Sequence, residues 1–424
     1  MFQQSKYKMN FHKIIFVSMC APFLTFGQGS GVTDEQLQLN TITTSMPFLS
    51  ITPESRGGAM GEAGTALSAN STSIFWNTAM LNFADDDAEI SVSYTPWLRK
   101  LTNDIHLSYL SGYKRLGTKQ AIAASLRYFS LGEITFTDAN AQFIREDKPS
   151  EFELAFGYAF KLAEKHSIGI NGKFAYSNLT GGLVVAGAQT KAGIAGIADI
   201  SYAYRNDDFK WFEKRGVYSL GVTLNNIGNK IAYSETSRRD FLPMNLKIGN
   251  AVTLEIDKYN KFTYSLDLQK LLVPTPGLYD NGQLISGKSS DVGVIAGLVQ
   301  SFYDAPGVVS VDDNGDYIQN ADGTYAVVKG TRLKEELTEI NIATGFEYWY
   351  ANSFALRGGF FYENRNKGDR KYFTAGIALQ YNLFGVDISY LAALKRDNPL
   401  ANTLRFTLRF KLGENNVGAD KKPE

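Results

Sequence analysis

The sequence predicts an all-β protein, a fourteen-stranded antiparallel transmembrane outer-membrane β-barrel with an N-terminal plug. Three observations predict it. An export leader is followed by no further apolar run long enough for a membrane helix. The chain is rich in aromatics, with 23 Tyr and 28 Phe, and its single cysteine lies in the leader. Segments of about ten residues that alternate apolar and polar recur to the C-terminus, joined by connections that are by turns short and long.

The elements follow in order. Residues 1–27 read as a cleavable signal peptide: Lys6, Lys8 and Lys13 precede an apolar stretch from Ile14 to Phe26, and Thr25-Phe26-Gly27 closes it. Cys20 leaves with it, so neither a disulfide framework nor a thiol nucleophile is expected in the mature chain. Residues 28–87 are polar and glycine-rich and are expected to form a periplasmic plug or hatch. Fourteen strand segments follow, at 88–97, 104–113, 119–130, 152–161, 166–177, 191–205, 217–227, 245–256, 261–271, 339–350, 353–363, 371–381, 384–395 and 404–412. In the last, Leu404, Phe406, Leu408, Phe410 and Leu412 alternate with Arg405, Thr407, Arg409 and Lys411, one face for lipid and one for the lumen.

Loop parity tests the count. The even-to-odd connections 114–118, 162–165, 257–260, 351–352 and 382–383 are short, as periplasmic turns should be, with 206–216 the one longer exception. The odd-to-even connections are longer, above all 272–338. Making DVGVIAGLVQ (291–300) a fifteenth strand would flip every later loop, so it belongs to that outer loop. Within the same loop Asn314-Gly315 and Asp322-Gly323 are hairpin dipeptides and predict a small β-meander over 308–332. The tail 413–424 is polar and charged.

Little here suggests chemistry, and the chain reads as a non-enzyme without a cofactor. The glycines of SRGGAMGEAGTAL (55–67) match neither a dinucleotide fingerprint nor a Walker loop, since Ala59 and Glu62 stand at the deciding positions. They read instead as a hatch in which Gly57, Gly58, Gly61 and Gly64 allow close backbone packing. Arg56, a lone charge there, should pair with acidic lumen residues. His106 and Ser108 share one face of the second strand; with Ile105, Leu107 and Tyr109 as the apolar row, the pair is expected to face the lumen. Trp349 and Tyr350 read as interfacial aromatics. Asp312, Asn314 and Asp316 have calcium-loop spacing, but Tyr317 and Gly323 occupy the positions that need glycine and glutamate. Lys and Arg balance Asp and Glu at 43 each, so no nucleic-acid surface is expected.

The hatch segment carries a family resemblance. Arg56, Ala59, Met60, Gly61, Gly64 and Ala66, then Trp76, Asn77, Ala79 and Leu81, are similar to the N-terminal region of FadL-like barrels, although Thr78 and Met80 replace that pattern's proline and glycine. Within that superfamily, NTITTSMPFLSITPESRGGAMGEAG (40–64) resembles the opening of the PorV (LptO) family of type IX secretion in Bacteroidota. SFYDAPG (301–307), LKEELTEI (333–340), GFEYWYANSFALRGGFFYE (345–363) and GDRKYFTAGIALQYNLFGVDISY (368–390) resemble it too. Here Val308 follows Gly307 and the meander intervenes before Leu333, where the family runs almost directly on.

The resemblance implies a shuttle that binds the C-terminal signal domain of secreted cargo at the translocon barrel (SprA/Sov-like). It would deliver cargo to a surface attachment complex with a sortase-like protease (PorU-like), working in contact with outer-membrane lipid. Asp304, Ala305, Pro306, Gly307, Glu335 and Glu336 are the expected contact residues, with Glu335 and Glu336 equally readable as the start of a short helix. The competing readings are a FadL-like channel for hydrophobic small molecules, which requires an apolar luminal pocket, and a lipid A or lipopolysaccharide esterase built on His106 and Ser108.

Overall fold

The computed structural model describes residues 39–98, 104–137, 140–179, 182, 184–185, 188–211, 213–394 and 402–412. The leader with His12 and Cys20, residues 28–38 of the hatch and the tail 413–424 lie outside them.

Fourteen strands close into one antiparallel barrel in which every strand pairs with its sequence neighbour. They are β1 (Ala88–Pro96), β2 (Ile105–Arg115), β3 (Gln120–Leu131), β4 (Ser150–Ala163), β5 (His166–Asn178), β6 (Gly193–Trp211) and β7 (Lys214–Gly228), then β8 (Asn245–Glu255), β9 (Asn260–Leu271), β10 (Ile340–Tyr350), β11 (Phe354–Tyr362), β12 (Lys371–Tyr381), β13 (Phe384–Ala393) and β14 (Thr403–Leu412). The seam is β1 against β14, from Ala88↔Leu412 to Tyr94↔Phe406. On β14, Phe406 and Leu408 stand exposed to the lipid side while Arg405, Thr407 and Arg409 are buried toward the lumen. A closed barrel leaves no strand edge unpaired, which the bilayer core requires.

The longer exception at 206–216 disappears. β6 runs to Trp211 and β7 begins at Lys214, with a bulge between Asn206 and Phe209. This hairpin extends beyond the lipid band, where RNDDFK needs no apolar row, so the alternation that marks a lipid-facing strand does not reach it. Residues 294–300 form a helix, α3 (Val294–Gln300), after the short hatch helices α1 (Ser55–Ala59) and α2 (Ser73–Trp76). α4 (Thr331–Thr338) contains Glu335 and Glu336 and leads into β10.

The meander is a closed ring rather than a flat sheet. Val309 bridges Val327, Val311 bridges Tyr317 and Gln319 bridges Tyr325, so each of three arms pairs with both others. Three equivalent residues eight apart close the circle: Ser310 N–H donates to Ala326 O (2.8 Å), Ala326 N–H to Ile318 O (2.9 Å) and Ile318 N–H to Ser310 O (3.0 Å). The two glycine turns are the corners of a repeat, and a repeat can close on itself where a hairpin pair cannot.

The hatch is not confined to the periplasmic side. Asn40 N–H donates to Asn366 O in an outer loop (2.9 Å), whereas Asp86 pairs with Lys411 (2.8 Å) at the short-turn end. Residues 39–87 therefore thread the whole lumen from the outer mouth to the periplasmic rim. The wall makes room with small inward residues, among them Ala121, Ala155, Ala159, Ala343 and Ala355.

Candidate functional site

Two assemblies concentrate the polar chemistry: a lock between hatch and wall, and a knot within the outer loops.

The lock begins at α1. Glu54 caps this helix, accepting from Gly57 N–H (2.6 Å) and Arg56 N–H (2.5 Å), and the same carboxylate takes Trp76 Nε1–H (2.9 Å). The Trp76 ring lies between Gly57 and Gly64, where a Cβ would come within 2.3 and 2.2 Å of it. Gly61, at φ +66°, presses on the backbone of Thr344 and Phe360, and a Cβ at Gly58 would meet Arg405. Met60 is fully buried, and Asn77 Nδ2 donates to Thr65 O and Tyr202 O (both 3.0 Å), tying the hatch to β6. Gly57 and Gly64 are required to seat the Trp76 ring and Gly58 leaves room for Arg405, while at Gly61 hatch and wall meet backbone to backbone.

Arg56 then enters a chain of alternating charges. Its Nε and Nη2 donate to both Glu347 oxygens at 3.0 and 2.9 Å. Glu347 also accepts from Arg357 Nε (2.6 Å), Asp387 accepts from Arg357 Nη1 (2.5 Å) and Arg409 Nε (2.6 Å), and Arg409 approaches Glu89 at 3.7 Å. Glu89 closes the circuit by accepting Ser71 N–H (2.9 Å) from the hatch. A second clamp sits higher: Arg127 Nη2 donates to both Glu153 oxygens (3.0 Å each) and its Nη1 donates to Phe48 O at 3.0 Å. A bidentate, charge-assisted pair such as Arg56–Glu347 fixes orientation as well as contributing energy.

The larger lumen space is accordingly polar, and the outer one mixes charged groups with apolar side chains such as Ile42, Ile51, Trp97 and Leu391. A cavity of about 720 Å³ on the periplasmic side is bordered by Arg56, Glu89, Glu347, Arg357 and Arg409, and one of about 350 Å³ on the outer side by Glu62, Glu363, Lys367, Arg370 and Arg405. Trp349, expected at the interface, turns inward with Arg357 over its ring (5.7 Å), whereas Tyr350 faces out.

The knot gathers all six residues expected to contact partners. Asp304 accepts Thr275 N–H (3.1 Å) and Gln300 Nε2–H (3.3 Å), Ala305 N–H donates to Glu336 (2.9 Å), and Gly307 N–H donates to Glu335 (2.8 Å). Pro306 O accepts from Ser286 Oγ (2.5 Å). Lys367 Nζ bridges Glu335 (2.8 Å) and Glu339 (2.9 Å), Lys270 Nζ donates to Glu339 (2.5 Å), and Asn40 Nδ2 joins Glu335 (3.2 Å). The expectation that these side chains present themselves to a partner meets a correction: Asp304 and Glu335 are 1% and 3% exposed. The two sequence blocks hold each other, SFYDAPG offering backbone amides that the α4 carboxylates accept. Burial beside Glu336 and Glu339 pushes the Asp304 carboxyl up to about 6. What the loop shows to its surroundings instead is Ile295, Val299, Phe302, Tyr303, Leu333 and Leu337. Sequence reading missed these because an isolated exposed leucine carries no signal of its own.

His106 and Ser108 also reverse their expected facing. Leu107, Tyr109 and Tyr113 are buried inward, and the alternate row turns to the lipid side, where His106 lies near Tyr94 (5.5 Å) and Tyr128 (6.4 Å). A lumen filled by a hatch accepts apolar side chains, so the apolar row of β2 is not its lipid row. His106 Nδ1 meets only the backbone carbonyl of Asp104, at 3.3 Å, among its polar contacts in the described residues. Asp312, in the ring, has its carboxylate taken up by the amides of Asn314 (2.8 Å) and Asp316 (3.0 Å).

Similar solved structures are FadL-type channels. The toluene transporter TodX of Pseudomonas putida is 11% identical, with 88% of this chain and 98% of that chain covered at a TM-score of 0.45. TbuX of Ralstonia pickettii is 10% identical (84% and 97%, TM-score 0.45), and a Pseudomonas aeruginosa FadL homologue is 9% identical (88% and 100%, TM-score 0.43). No curated protein matches by sequence. The family model described as Type IX secretion system protein PorV matches residues 33–278, through the hatch and nine strands into the long outer loop. With more than half of its length so matched, this outer-membrane β-barrel belongs to the PorV family of type IX secretion system proteins.

Proposed function

We propose that this protein is the outer-membrane shuttle of type IX secretion. It binds the C-terminal signal domain of a secreted cargo at the translocon barrel and delivers the cargo to the surface attachment complex, where a sortase-like protease removes that domain. The observation that carries this reading is a locked lumen beneath a braced outer loop. The hatch is held by the Arg56–Glu347 pair and by Arg127 donating to Phe48 O, so nothing folded passes through, while the knot around Glu335 and Lys367 holds 272–338 in a defined shape on the outer side. A large ordered loop of this kind is a place for partner binding. The knot residues brace the loop, and the 308–332 ring it carries meets the partner.

The alternative, a FadL-like channel for hydrophobic molecules, calls for an apolar luminal pocket. The larger luminal cavity is instead bordered by guanidinium and carboxylate groups, and the outer one interrupts an apolar wall of Ile42, Ile51, Trp97, Leu271 and Leu391 with Glu62, Glu363, Lys367, Arg370 and Arg405. Affinity capture of an epitope-tagged copy from outer membranes tests the proposal: cargo C-terminal domains and the translocon barrel should be recovered together, and recovery of neither refutes it. Val328 N–H donates to Val308 O (2.8 Å), so the ring ends where it begins. Excision of 309–327 therefore leaves the knot intact and should reduce cargo recovery; unchanged recovery would exclude the ring as the binding surface.

A further inference from the structure

We infer that α3 and α4 form a collar seated in the outer leaflet of the membrane, extending the lipid-facing surface of the barrel upward on the side of β7–β10. The register shows where these helices lie. Leu224 pairs with Leu246, Leu246 with Lys270, and Lys270 with Ile340, making one row across four strands. The intervening residues point inward: Cβ atoms built on Gly221 and Gly249 would strike Thr65 of the hatch, and Gln269 Nε2 donates to Glu62 O. By alternation, the Leu224–Leu246–Lys270–Ile340 row faces outward at the top of the wall.

That row is covered, and what covers it is the outer loop. Leu224 and Leu246 pack with Val294 and Leu298 of α3 around Phe241, Met244, Leu272 and Val273. Lys270 is buried, its ammonium on Glu336 and Glu339 and 5.9 Å from the Phe302 ring. The helices thus lean on the outside of the wall at its rim, while the inner side of α4 holds Lys367 and Asn40 at the mouth and Ile42 of the hatch joins the α3 cluster.

Their opposite faces are bare and apolar. Ile295 and Leu333 are each 66% exposed, against 48% for Phe346 in the lipid band below, and Val299, Phe302 and Leu337 join them. On each helix the bare residues are four apart, Ile295 with Val299 and Leu333 with Leu337, so each presents one apolar stripe. Leu337 is three residues from Ile340, so this face continues directly into the membrane-facing surface of β10. Such a patch is costly in water and favourable in acyl chains. Tyr303, with Lys288 Nζ 3.7 Å from its ring centroid, places an aromatic and an ammonium where headgroups begin. Continuity with the lipid band selects lipid over a protein partner.

The absence of cysteine after the leader makes the test direct. Val299→Cys and Leu337→Cys, each in the full chain, are labelled with an environment-sensitive fluorophore and reconstituted in phosphatidylcholine vesicles carrying an acyl-chain nitroxide just below the headgroup. Phe346→Cys serves as the lipid control and Val311→Cys, in the ring, as the aqueous one. Quenching at both collar positions should approach that at Phe346→Cys and exceed that at Val311→Cys roughly fivefold, since an interfacial apolar face sits about 5–10 Å into the acyl boundary. Quenching at the Val311→Cys level overturns the inference. So does a collar unquenched in vesicles but shielded from aqueous maleimide in cells only when the translocon is present, which would identify a protein interface. Ile295→Cys and Leu333→Cys repeat the test if either first variant fails to fold.

Discussion

Glu347→Gln tests the lock most directly. Glu347 receives three donors, two from Arg56 at 3.0 and 2.9 Å and one from Arg357 at 2.6 Å, and its side chain is almost fully buried. The amide keeps the shape but removes the charge, leaving two guanidiniums facing one another with Asp387 as the remaining anion for Arg357. Breaking a buried ion pair from one side costs about 3–5 kcal/mol. Because the barrel ladders are untouched, that cost falls on seating of the hatch. Taking the lower bound of ~3 kcal/mol, the displaced hatch becomes roughly 150-fold more populated, at about 1.4 kcal/mol per tenfold.

Planar-bilayer conductance reads this population. Wild-type protein should stay closed, and Glu347→Gln should open in bursts whose total duration rises by about two orders of magnitude. The double variant Arg56→Met, Glu347→Gln removes the stranded hatch cation together with its partner and should recover part of the loss, giving a coupling of about 0.5–3 kcal/mol. A Glu347→Gln protein as closed as wild type, with no coupling to Arg56, would refute the claim that this circuit seats the hatch.

Two further outcomes are expected. Gly64→Ala places a methyl 2.2 Å from Trp76 Cδ2 and should lower the temperature at which the folded band is lost on gels, reflecting about 1–3 kcal/mol of overpacking, whereas Gly172→Ala, with nothing within 4 Å, should be neutral. Asp304 makes the outer knot pH-sensitive: its folded pKa of about 6 lies above the ordinary carboxylate value, so the folded loop prefers the protonated acid. The penalty for charging it is absent below about pH 4 and complete above about pH 6, at most ~3 kcal/mol. Protease nicking of the 301–340 loop in membranes should therefore slow as pH falls through that window, and Asp304→Asn should flatten the profile. An unchanged profile in the variant would assign the pH dependence elsewhere.

Much of this architecture could be read from the chain alone because the bilayer imposes a simple rule. Every lipid-facing strand must alternate, and every loop must keep its parity, so strand boundaries such as Lys371–Tyr381 coincide with the expected ones. The rule weakens where lipid does. The β6–β7 hairpin beyond the band escaped it, and β2 misled it, since Leu107 and Tyr109 answer to the hatch and not to lipid. The glycines of 57–64 signalled close packing, but only the fold shows that Trp76 and the backbones of Thr344 and Phe360 are what they approach. The expected contact residues Asp304 to Gly307, Glu335 and Glu336 were legible as two blocks, and the structure brings both into one knot with Lys367 and Asn40. Whether a side chain builds a surface or presents it depends on partners more than 25 residues away. Local periodicity determined which residues form the wall; long-range contacts, which no local pattern records, decided how the hatch threads it, which row of β2 faces out and where the outer helices lie.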